Sequence, residues 1–329
     1  MMPSNLAEHG EVVLLDSEAA ARARDAAGQL AGSAAGPVED PCECAAVLAG
    51  ALPGELLRAV HRYGNCGAPD NVLLVRGMLP GMAGLEPTPG NVTPPALGRD
   101  GQAAELLLLA AVSLLGEPFT FASLYEGRLV QHVTAVPGRE DAQTSEGSRA
   151  ALDWHVEDAF SGDRCDYFGL LCLRGSPDAV TRVAAASRIR LPAAAEQVLR
   201  EPRFVVPPDE AHQDTPAGLQ RTSVLSGPAQ DPEICFDAVY QRAADPRDGE
   251  ASAALMALAG EIDRVAAGVV LEPGDLLLVD NRRVVHARTG YPPRYDGAGR
   301  WVLRAMACAS RRQHRSRGGL RVLPSRPGM

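Results

Sequence analysis

The sequence predicts a mainly β fold, either a sandwich, a jelly roll or a barrel, with a largely helical N-terminal part. After Pro118 the chain consists of short apolar runs separated by turns, a density of strands typical of those three architectures. Before Pro118 it is rich in Ala, Leu and Glu. The 46% hydrophobic content of the 329 residues is ordinary for a globular chain that buries a sizeable core.

The N-terminal elements follow from local signals. Residues 6 to 59 are broken by AGSAAGP and Pro41, which predicts two or three short helices. NVLLVRG at 71–77 is a compact apolar run closed by glycine, which predicts a buried strand. A Pro/Gly/Thr-rich stretch at 79–98 indicates a long loop, and 102–115 then reads as a buried helix.

The predicted strands of the C-terminal part are RLVQHVTAV, DYFGLLCLRG, TRVAAASRI, RFVV, EICFD, DLLLVDN, VVHARTG and RWVLRAMAC. SAALMALAGEIDRVAA, at about 252–267, has apolar residues at helical spacing, so we expect a helix inserted between two late strands. The Pro-rich stretch at about 207–227 has little hydrophobic content, which favours a mobile lid over an active site.

We therefore expect one domain over residues 1–329. Its parts are an N-terminal, largely helical scaffold at 1–117, a β core at 118–310 and a basic tail at 311–329. The tail carries six arginines without an acid, and we interpret it as a solvated, frayed end rather than a binding arm.

Composition excludes several classes of protein. The chain contains no lysine, so a lysine Schiff base and a phosphate loop ending in Gly-Lys-Ser/Thr are both impossible. A net charge of −9 argues against a nucleic-acid partner. The longest apolar run, Leu106 to Leu115, is too short to span a membrane. Seven cysteines without a CxxC pair, and an N-terminus without a signal-peptide pattern, favour free thiols and a cytoplasmic location.

The most informative segment is WHVEDAF, which contains His155 and Glu157. In an extended chain, residues two apart project to the same side, so an imidazole and a carboxylate can face one cation. The run DLLLVDNRRVVHARTG then places His286 on a later strand. Two histidines and one carboxylate form a facial triad, which leaves three positions on an iron(II) ion open. The sequence therefore predicts a metal site at His155, Glu157 and His286.

Two arginines follow the last predicted ligand. Arg300 comes 14 residues after His286, a distance that fits one turn and the adjoining antiparallel strand. A guanidinium beside the metal can hold a carboxylate through two parallel hydrogen bonds. Arg304 lies four residues further on, so in a strand it shares a face with Arg300. Two arginines on one face can hold two different carboxylates.

These residues resemble a known family, the clavaminate synthase-like iron(II)/2-oxoglutarate-dependent oxygenases of the taurine dioxygenase superfamily. The resemblance covers about 127–309 through RLVQHV, HVEDAF, PGDLLLVDNRRVVHARTGYPPRYDG and RWVLR. It is strongest to bacterial hydroxylases of free arginine, lysine or asparagine in peptide-antibiotic pathways. It implies a double-stranded β-helix (jelly-roll) core, iron(II) as cofactor, and 2-oxoglutarate and O₂ as co-substrates.

The resemblance also implies roles for single residues. His155, Glu157 and His286 match the iron ligands, and Arg300 matches the partner of the distal carboxylate of 2-oxoglutarate. A threonine also contacts the co-substrate in this family, and Thr181 is the nearby candidate, although Val183 competes for the matching place. For the substrate, Gln131 with Glu157 matches the α-amino contacts and Arg304 the α-carboxylate contact. Asp209 matches a lid aspartate, and Asp237 matches the residue that meets the side-chain head group.

The expected reaction is hydroxylation of a free L-amino acid, at Cβ of a basic amino acid such as arginine or lysine, in a specialised-metabolite pathway. Ala211 and Val239 stand where the arginine hydroxylases tend to have polar residues, which weakens an assignment to arginine itself. An asparagine-like substrate and a desaturation or cyclisation outcome stay open. A zinc hydrolase is less favoured, because it has no need of Arg300 after the last ligand. A non-catalytic β-barrel binding protein is also less favoured, because it would be expected to lose ligands, whereas His155, Glu157, His286 and Arg300 are all present.

Overall fold

The structure is a computed structural model that describes residues 4–6, 10–33, 40–81, 84–91, 96–212, 219–310 and 321–324. These residues form two facing β-sheets, two short two-stranded ladders and six α-helices. In this part of the chain no helix is both long and apolar enough to cross a membrane. The tail residues 311–320 and 325–329 lie outside the described residues. The prediction of a frayed, solvated tail is wrong for Val322 and Leu323, which form a short strand paired with Thr120 and Phe121, with Leu323 buried.

The helices fall into an N-terminal group of four and two later ones. Their bounds are α1 Ser17–Ser33, α2 Pro41–Ala49, α3 Gly54–Cys66, α4 Arg99–Ser113, α5 Ala193–Leu199 and α6 Gly249–Val265. Caps explain two starts: the Asp40 carboxylate accepts a hydrogen bond from the main-chain N–H of Cys42, and the Asp248 carboxylate accepts one from that of Ala251.

The larger sheet has the strand order β17-β4-β16-β7-β14-β3-β2, with β5 also paired to β16. Its strands are β2 Glu11–Leu14, β3 Val72–Arg76, β4 Glu117–Phe121, β5 Val130–Thr134, β7 Tyr167–Arg174, β14 Leu276–Asp280, β16 Trp301–Cys308 and β17 Val322–Leu323. The smaller sheet has the order β1-β13-β8-β15-β6. Its strands are β1 Ser4–Asn5, β6 Leu152–His155, β8 Val180–Ala185, β13 Ala267–Val270 and β15 Val284–Arg288. The short ladders are β9 Phe204–Val205 with β12 Arg242–Ala243, and β10 Leu225–Ser226 with β11 Glu233–Ile234.

Strand β16 shows how alternation divides the interior. Val302 and Met306 pack between the two sheets, against side chains such as Val183 of the smaller sheet. Trp301 and Leu303 point to the other face and pack against the N-terminal helices. Because successive residues of a strand face opposite sides, both faces of the larger sheet are buried. The gap between the sheets is the place where inward polar side chains can meet.

The prediction of a mainly β chain with flanking helices is confirmed. The strand expected at 71–77 is β3, and each of the eight predicted runs contains or overlaps a strand. The inserted helix is present as α6, but its predicted end is wrong. The helix stops at Val265, and Ala267 begins β13. The periodicity could not show this, because Ala267 is buried between strands just as it would be on a helix face.

Candidate metal centre and substrate cavity

The structure brings His155, Glu157 and His286 together. Each offers one ligand atom, and these atoms lie within 4.8 Å of one another. The two histidines are cross-strand neighbours, because antiparallel pairing of β15 with β6 sets His286 opposite His155. Nε2 of His286 lies 3.2 Å from Oε1 of Glu157. The three donors thus converge on one point, although they are up to 131 residues apart in the chain.

Glu157 reaches this point from a turn and not from a strand, which corrects the expected local structure. Strand β6 ends at His155, and Asp158 has a left-handed φ of +55°. Asn281, completely buried, holds the turn: its Oδ1 accepts a hydrogen bond from the N–H of Glu157 at 2.8 Å, and its Nδ2 donates to the carbonyls of Glu157 and Cys165, both at 3.1 Å. Asn281 was not predicted from the sequence. Its only signal there is a polar residue directly after an apolar run.

The protonation states suit a divalent metal. Nδ1 of His155 lies 2.7 Å from the carbonyl oxygen of Asp153, which only accepts, so in the neutral ring Nδ1 carries the hydrogen and Nε2 has the lone pair. Burial, with the nearby His155, lowers the pKa of His286 to about 4, so its ring is neutral at pH 7. Burial alone raises the pKa of Glu157, but Arg304 and the two histidines outweigh it, so the pKa lies well below its usual range. Two imidazole nitrogens and one carboxylate suit iron(II).

Arg304 pairs with the predicted ligand Glu157. Its Nη1 donates to both carboxylate oxygens at 2.7 Å, and its Nε donates to Oε1 of Gln131, also at 2.7 Å. Gln131 in turn donates to the hydroxyl of Thr120 at 3.2 Å. Gln131 is completely buried and does not line the cavity described below. In this arrangement it orients the Arg304 guanidinium, and its predicted contact with a substrate amino group stays a prediction.

Arg300 lies just before β16, which is a strand of the larger sheet, whereas His286 belongs to the smaller sheet. The expectation of an adjoining antiparallel strand was wrong: β15 pairs with β6 and β8, whereas β16 pairs with β4, β5 and β7. The connection from β15 crosses from one sheet to the other, so Arg300, next to Trp301 at the start of β16, and His286 belong to different sheets. Arg300 is only 8% exposed, and its Nη1 is buried without a hydrogen-bond partner among the described residues. Such a buried cation is costly unless an anion completes it.

A second buried arginine lies beside Arg300. The guanidinium carbons of Arg288 and Arg300 stand 5.0 and 5.6 Å from the centre of the Tyr291 ring. Burial and then the charge of Arg300 lower the pKa of Arg288 to about 10. Within the described residues Arg288 forms no ion pair, and its hydrogen bonds go to the carbonyls of Thr289 and Ala150. Arg288 was not predicted from the sequence, although its position two residues after His286 indicates the same inward face.

Thr181 and Val183 both lie on β8 next to the site. Val183 is opposite His286 in the ladder, and Thr181 is opposite Arg288. Both side chains are buried, as expected for residues two apart on an inward face. Thr181 thus lies beside Arg288 and not beside the metal site, and its contact with a co-substrate stays a prediction.

A cavity of about 330 Å³ opens beside the metal centre. His155 and Glu157 line one side, and the predicted substrate residues Arg304, Asp209 and Asp237 also line it. Eight residues with carboxylate side chains line the cavity, against two with guanidiniums, Arg304 and Arg139. This excess of negative charge favours a cationic ligand.

Asp237 has a second, local role. Its Oδ1 accepts hydrogen bonds from the N–H groups of Val239 at 2.9 Å and Tyr240 at 2.7 Å, so it caps a turn. Of the predicted lid at 207–227, residues 207–212 belong to the cavity wall or directly follow it, and 213–218 lie outside the described residues. The lid prediction is wrong for 222–226, because Thr222 bridges to Phe204, Leu225 and Ser226 pair with β11, and Val224 and Leu225 are buried.

Comparisons with known proteins agree with this geometry. The profile "Taurine catabolism dioxygenase TauD, TfdA family" matches residues 191–306. The L-asparagine oxygenase of Streptomyces coelicolor is 34% identical, over 81% of this chain and 79% of the relative. The L-ornithine/L-arginine 3-hydroxylase of Catenulispora acidiphila is 30% identical, over 79% of this chain and 83% of the relative.

Similarity extends to a solved structure over nearly the whole length. A crystal structure of asparagine oxygenase in complex with Fe(II), 2S,3S-3-hydroxyasparagine and succinate matches with a TM-score of 0.86 and 32% identity, covering 95% of this chain and 99% of that one. The chain belongs to the TauD/TfdA family of iron(II)- and 2-oxoglutarate-dependent oxygenases, in the clavaminate synthase-like branch.

Proposed function

We propose that the protein hydroxylates a free L-amino acid with a basic side chain, at Cβ, using iron(II), 2-oxoglutarate and O₂. The observation that carries this proposal is the convergence of the three metal-ligating groups beside an acidic cavity, together with a buried arginine, Arg300, whose Nη1 has no hydrogen-bond partner among the described residues. We further infer that the two facing sheets form a double-stranded β-helix, that the enzyme acts in the cytoplasm, and that it belongs to a specialised-metabolite pathway.

The metal and co-substrate have separate places in this proposal. His155, Glu157 and His286 hold the iron, and Asn281 fixes the turn that carries Glu157. Arg300 binds the distal carboxylate of 2-oxoglutarate, with Arg288 adding positive charge beside it. When bound, iron and 2-oxoglutarate supply the oxidation, in which R–H, O₂ and 2-oxoglutarate give R–OH, CO₂ and succinate.

The chain's own residues position the amino acid. Arg304 binds the α-carboxylate of the substrate. Glu157, together with Gln131, binds its α-ammonium group. Gln131 supports this arrangement by holding the Arg304 guanidinium. Two opposite contacts on one zwitterion fix its orientation, so that one C–H bond faces the metal.

The side-chain head group determines the substrate class. Asp209 and Asp237 lie on the cavity wall, and the surrounding carboxylates favour a guanidinium or ammonium group. One relative is an L-ornithine/L-arginine 3-hydroxylase, which takes two basic amino acids. Asparagine is a second candidate, supported by the 34% identical L-asparagine oxygenase and by the turn-capping role of Asp237, which leaves only Oδ2 for a head group.

The test loads the protein anaerobically with iron(II) and 2-oxoglutarate and then admits air. L-Arginine, L-ornithine, L-lysine and L-asparagine are offered separately, and mass spectrometry follows succinate and the amino acid. We expect a gain of one oxygen atom on a basic amino acid; loss of two hydrogens would instead indicate desaturation or ring closure. Turnover of asparagine alone would contradict the head-group roles of Asp209 and Asp237. Absence of succinate with all four, and without any amino acid, would contradict the proposed oxidation.

A matched variant separates substrate binding from metal binding. Asp209→Asn keeps the shape of the side chain but removes its charge, so it should raise the KM for the basic amino acid by about tenfold or more while the KM for the keto-acid co-substrate stays the same. An equal rise in both constants would mean that Asp209 supports the whole site rather than the head group.

A further inference from the structure

Ser123, His212 and Asp158 form a row of hydrogen bonds beside the cavity, in which Ser123 is half-buried and the side chains of His212 and Asp158 are buried. Nδ1 of His212 lies 2.7 Å from Oγ of Ser123, and its Nε2 lies 3.2 Å from Oδ1 of Asp158. A carboxylate only accepts, so Nε2 carries a hydrogen and donates it to Asp158. In the neutral ring, the Ser123 hydroxyl then donates to Nδ1. Each ring nitrogen therefore has a partner, and the ring has one orientation.

Aromatic packing fixes the same ring. His212 is 1% exposed, and its ring centre lies 4.5 Å from that of Phe160 and 5.5 Å, edge on, from that of Phe121. An imidazole in such an apolar setting is costly unless both nitrogens are hydrogen-bonded. The Ser123–His212–Asp158 row is thus a firm attachment point in the wall of the cavity.

The two ends of this row belong to different parts of the site. Asp158 directly follows the predicted ligand Glu157 and has the left-handed φ of +55°, which any non-glycine residue adopts only at some cost. His212 closes a short 3₁₀ turn, and its N–H donates to the carbonyl of Asp209 at 3.1 Å. Asp209 lines the cavity. The main chain of a predicted substrate residue is therefore tied to the turn that carries a metal ligand.

A second contact that holds residues 209–212 in the cavity wall is weaker. Nη2 of Arg139 donates to Oε2 of Glu210 at 3.2 Å, but the two side chains are 44% and 48% exposed. Exposed ion pairs of this kind contribute little to stability. The buried row is therefore the stronger of the two.

We propose that His212 is a positioning residue that sets where Asp209 stands relative to the metal centre, and so determines how well the enzyme holds a cationic head group. This inference rests on the proposed function, because the head-group role of Asp209 is assigned there. His212 touches neither substrate nor metal in this proposal. It acts through Asp209.

A double-mutant cycle tests the proposal on iron-loaded full-length protein. The variants are His212→Leu, Asp209→Asn and their combination, and the probe is whichever of L-arginine, L-ornithine and L-lysine reacts fastest. His212→Leu should raise the KM for the probe about tenfold and leave the KM for the keto-acid co-substrate unchanged, and in the Asp209→Asn background it should add less than about twofold. Succinate formed per hydroxylated product should rise with the KM, because a misplaced substrate is oxidised less often.

Further variants separate positioning from simple loss of structure. His212→Gln places an amide near Nε2 and should recover part of the KM, since it can still donate to Asp158. His61→Leu, at an exposed histidine of α3, should leave both KM values and the ratio of succinate to hydroxylated product unchanged. If His212→Leu does not fold, Ser123→Ala replaces it, with a smaller rise in the same KM expected and an unchanged KM overturning the proposal.

The outcomes distinguish the two levels of inference. If Asp209→Asn leaves the KM for the probe unchanged, the head-group assignment of the proposed function fails, and the role of His212 fails with it. If Asp209→Asn acts as expected but the two substitutions multiply, His212 works independently of Asp209. The positioning role is then wrong while the proposed function stands.

Discussion

Arg300→Met removes a buried guanidinium while keeping a long side chain, and it isolates the co-substrate assignment. Arg300 is 8% exposed and its Nη1 has no partner among the described residues, so a bound carboxylate would form a desolvated ion pair there. Removing one partner of such a pair costs about 2–5 kcal/mol. Arg288 stays beside the same tyrosine ring and keeps part of the attraction, so we expect the lower half of that range.

A loss of about 2–3 kcal/mol corresponds to a rise of about 30- to 150-fold in the KM for the keto-acid co-substrate, since 1.4 kcal/mol is tenfold. Succinate release at varied co-substrate concentration measures it, and calorimetric titration of 2-oxoglutarate into the manganese-loaded protein checks that binding changes. Arg294→Met is the matched control, because Arg294 is a surface residue of the same segment, 63% exposed. A rise of less than about twofold in the KM for the keto-acid co-substrate in Arg300→Met would refute the reasoning, because losing one partner of a desolvated ion pair costs about 2–5 kcal/mol.

Three further predictions concern the turn that carries Glu157 and the predicted metal ligands. Asn281→Ala removes three buried hydrogen bonds at about 1 kcal/mol each and should lower the free energy of unfolding by about 3 kcal/mol in urea titrations; a loss under about 1 kcal/mol would argue against this role. Metal-free protein should lose stability as the pH falls from 6.5 towards 4, by up to about 1.4 kcal/mol per pH unit, because the unfolded chain protonates His286 while the folded chain, with its pKa of about 4, resists it. His286→Asn should flatten this dependence in pH-resolved unfolding curves, and an unchanged slope would contradict the lowered pKa. Manganese(II) at about 100 times its Kd should stabilise the chelator-treated protein by about 2.7 kcal/mol, and His155→Ala should abolish the gain; a gain that survives in the variant would place the metal elsewhere.

The sequence predicted the elements whose signals are local. Short apolar runs marked five of the eight strands of the larger sheet and two of the five strands of the smaller sheet, and the helical spacing of 252–267 marked α6 to within a few residues at each end. Residue types and their spacing also predicted the candidate site: an imidazole and a carboxylate two residues apart, then a second imidazole and two arginines later in the chain. These features depend on residue type and spacing, which the sequence contains.

Only the tertiary structure decided how these groups meet. The pairing of β15 with β6 sets His286 opposite His155, and the crossing of the chain to the other sheet puts Arg300 beside the same tyrosine ring as Arg288. Asn281, Arg288 and His212 had only weak signals in the sequence, because an asparagine at a strand end, an arginine after a histidine and a histidine in a polar loop are common residues in common places. Their roles come from burial and from partners more than 50 residues away, and strand register and packing are set by the whole folded chain.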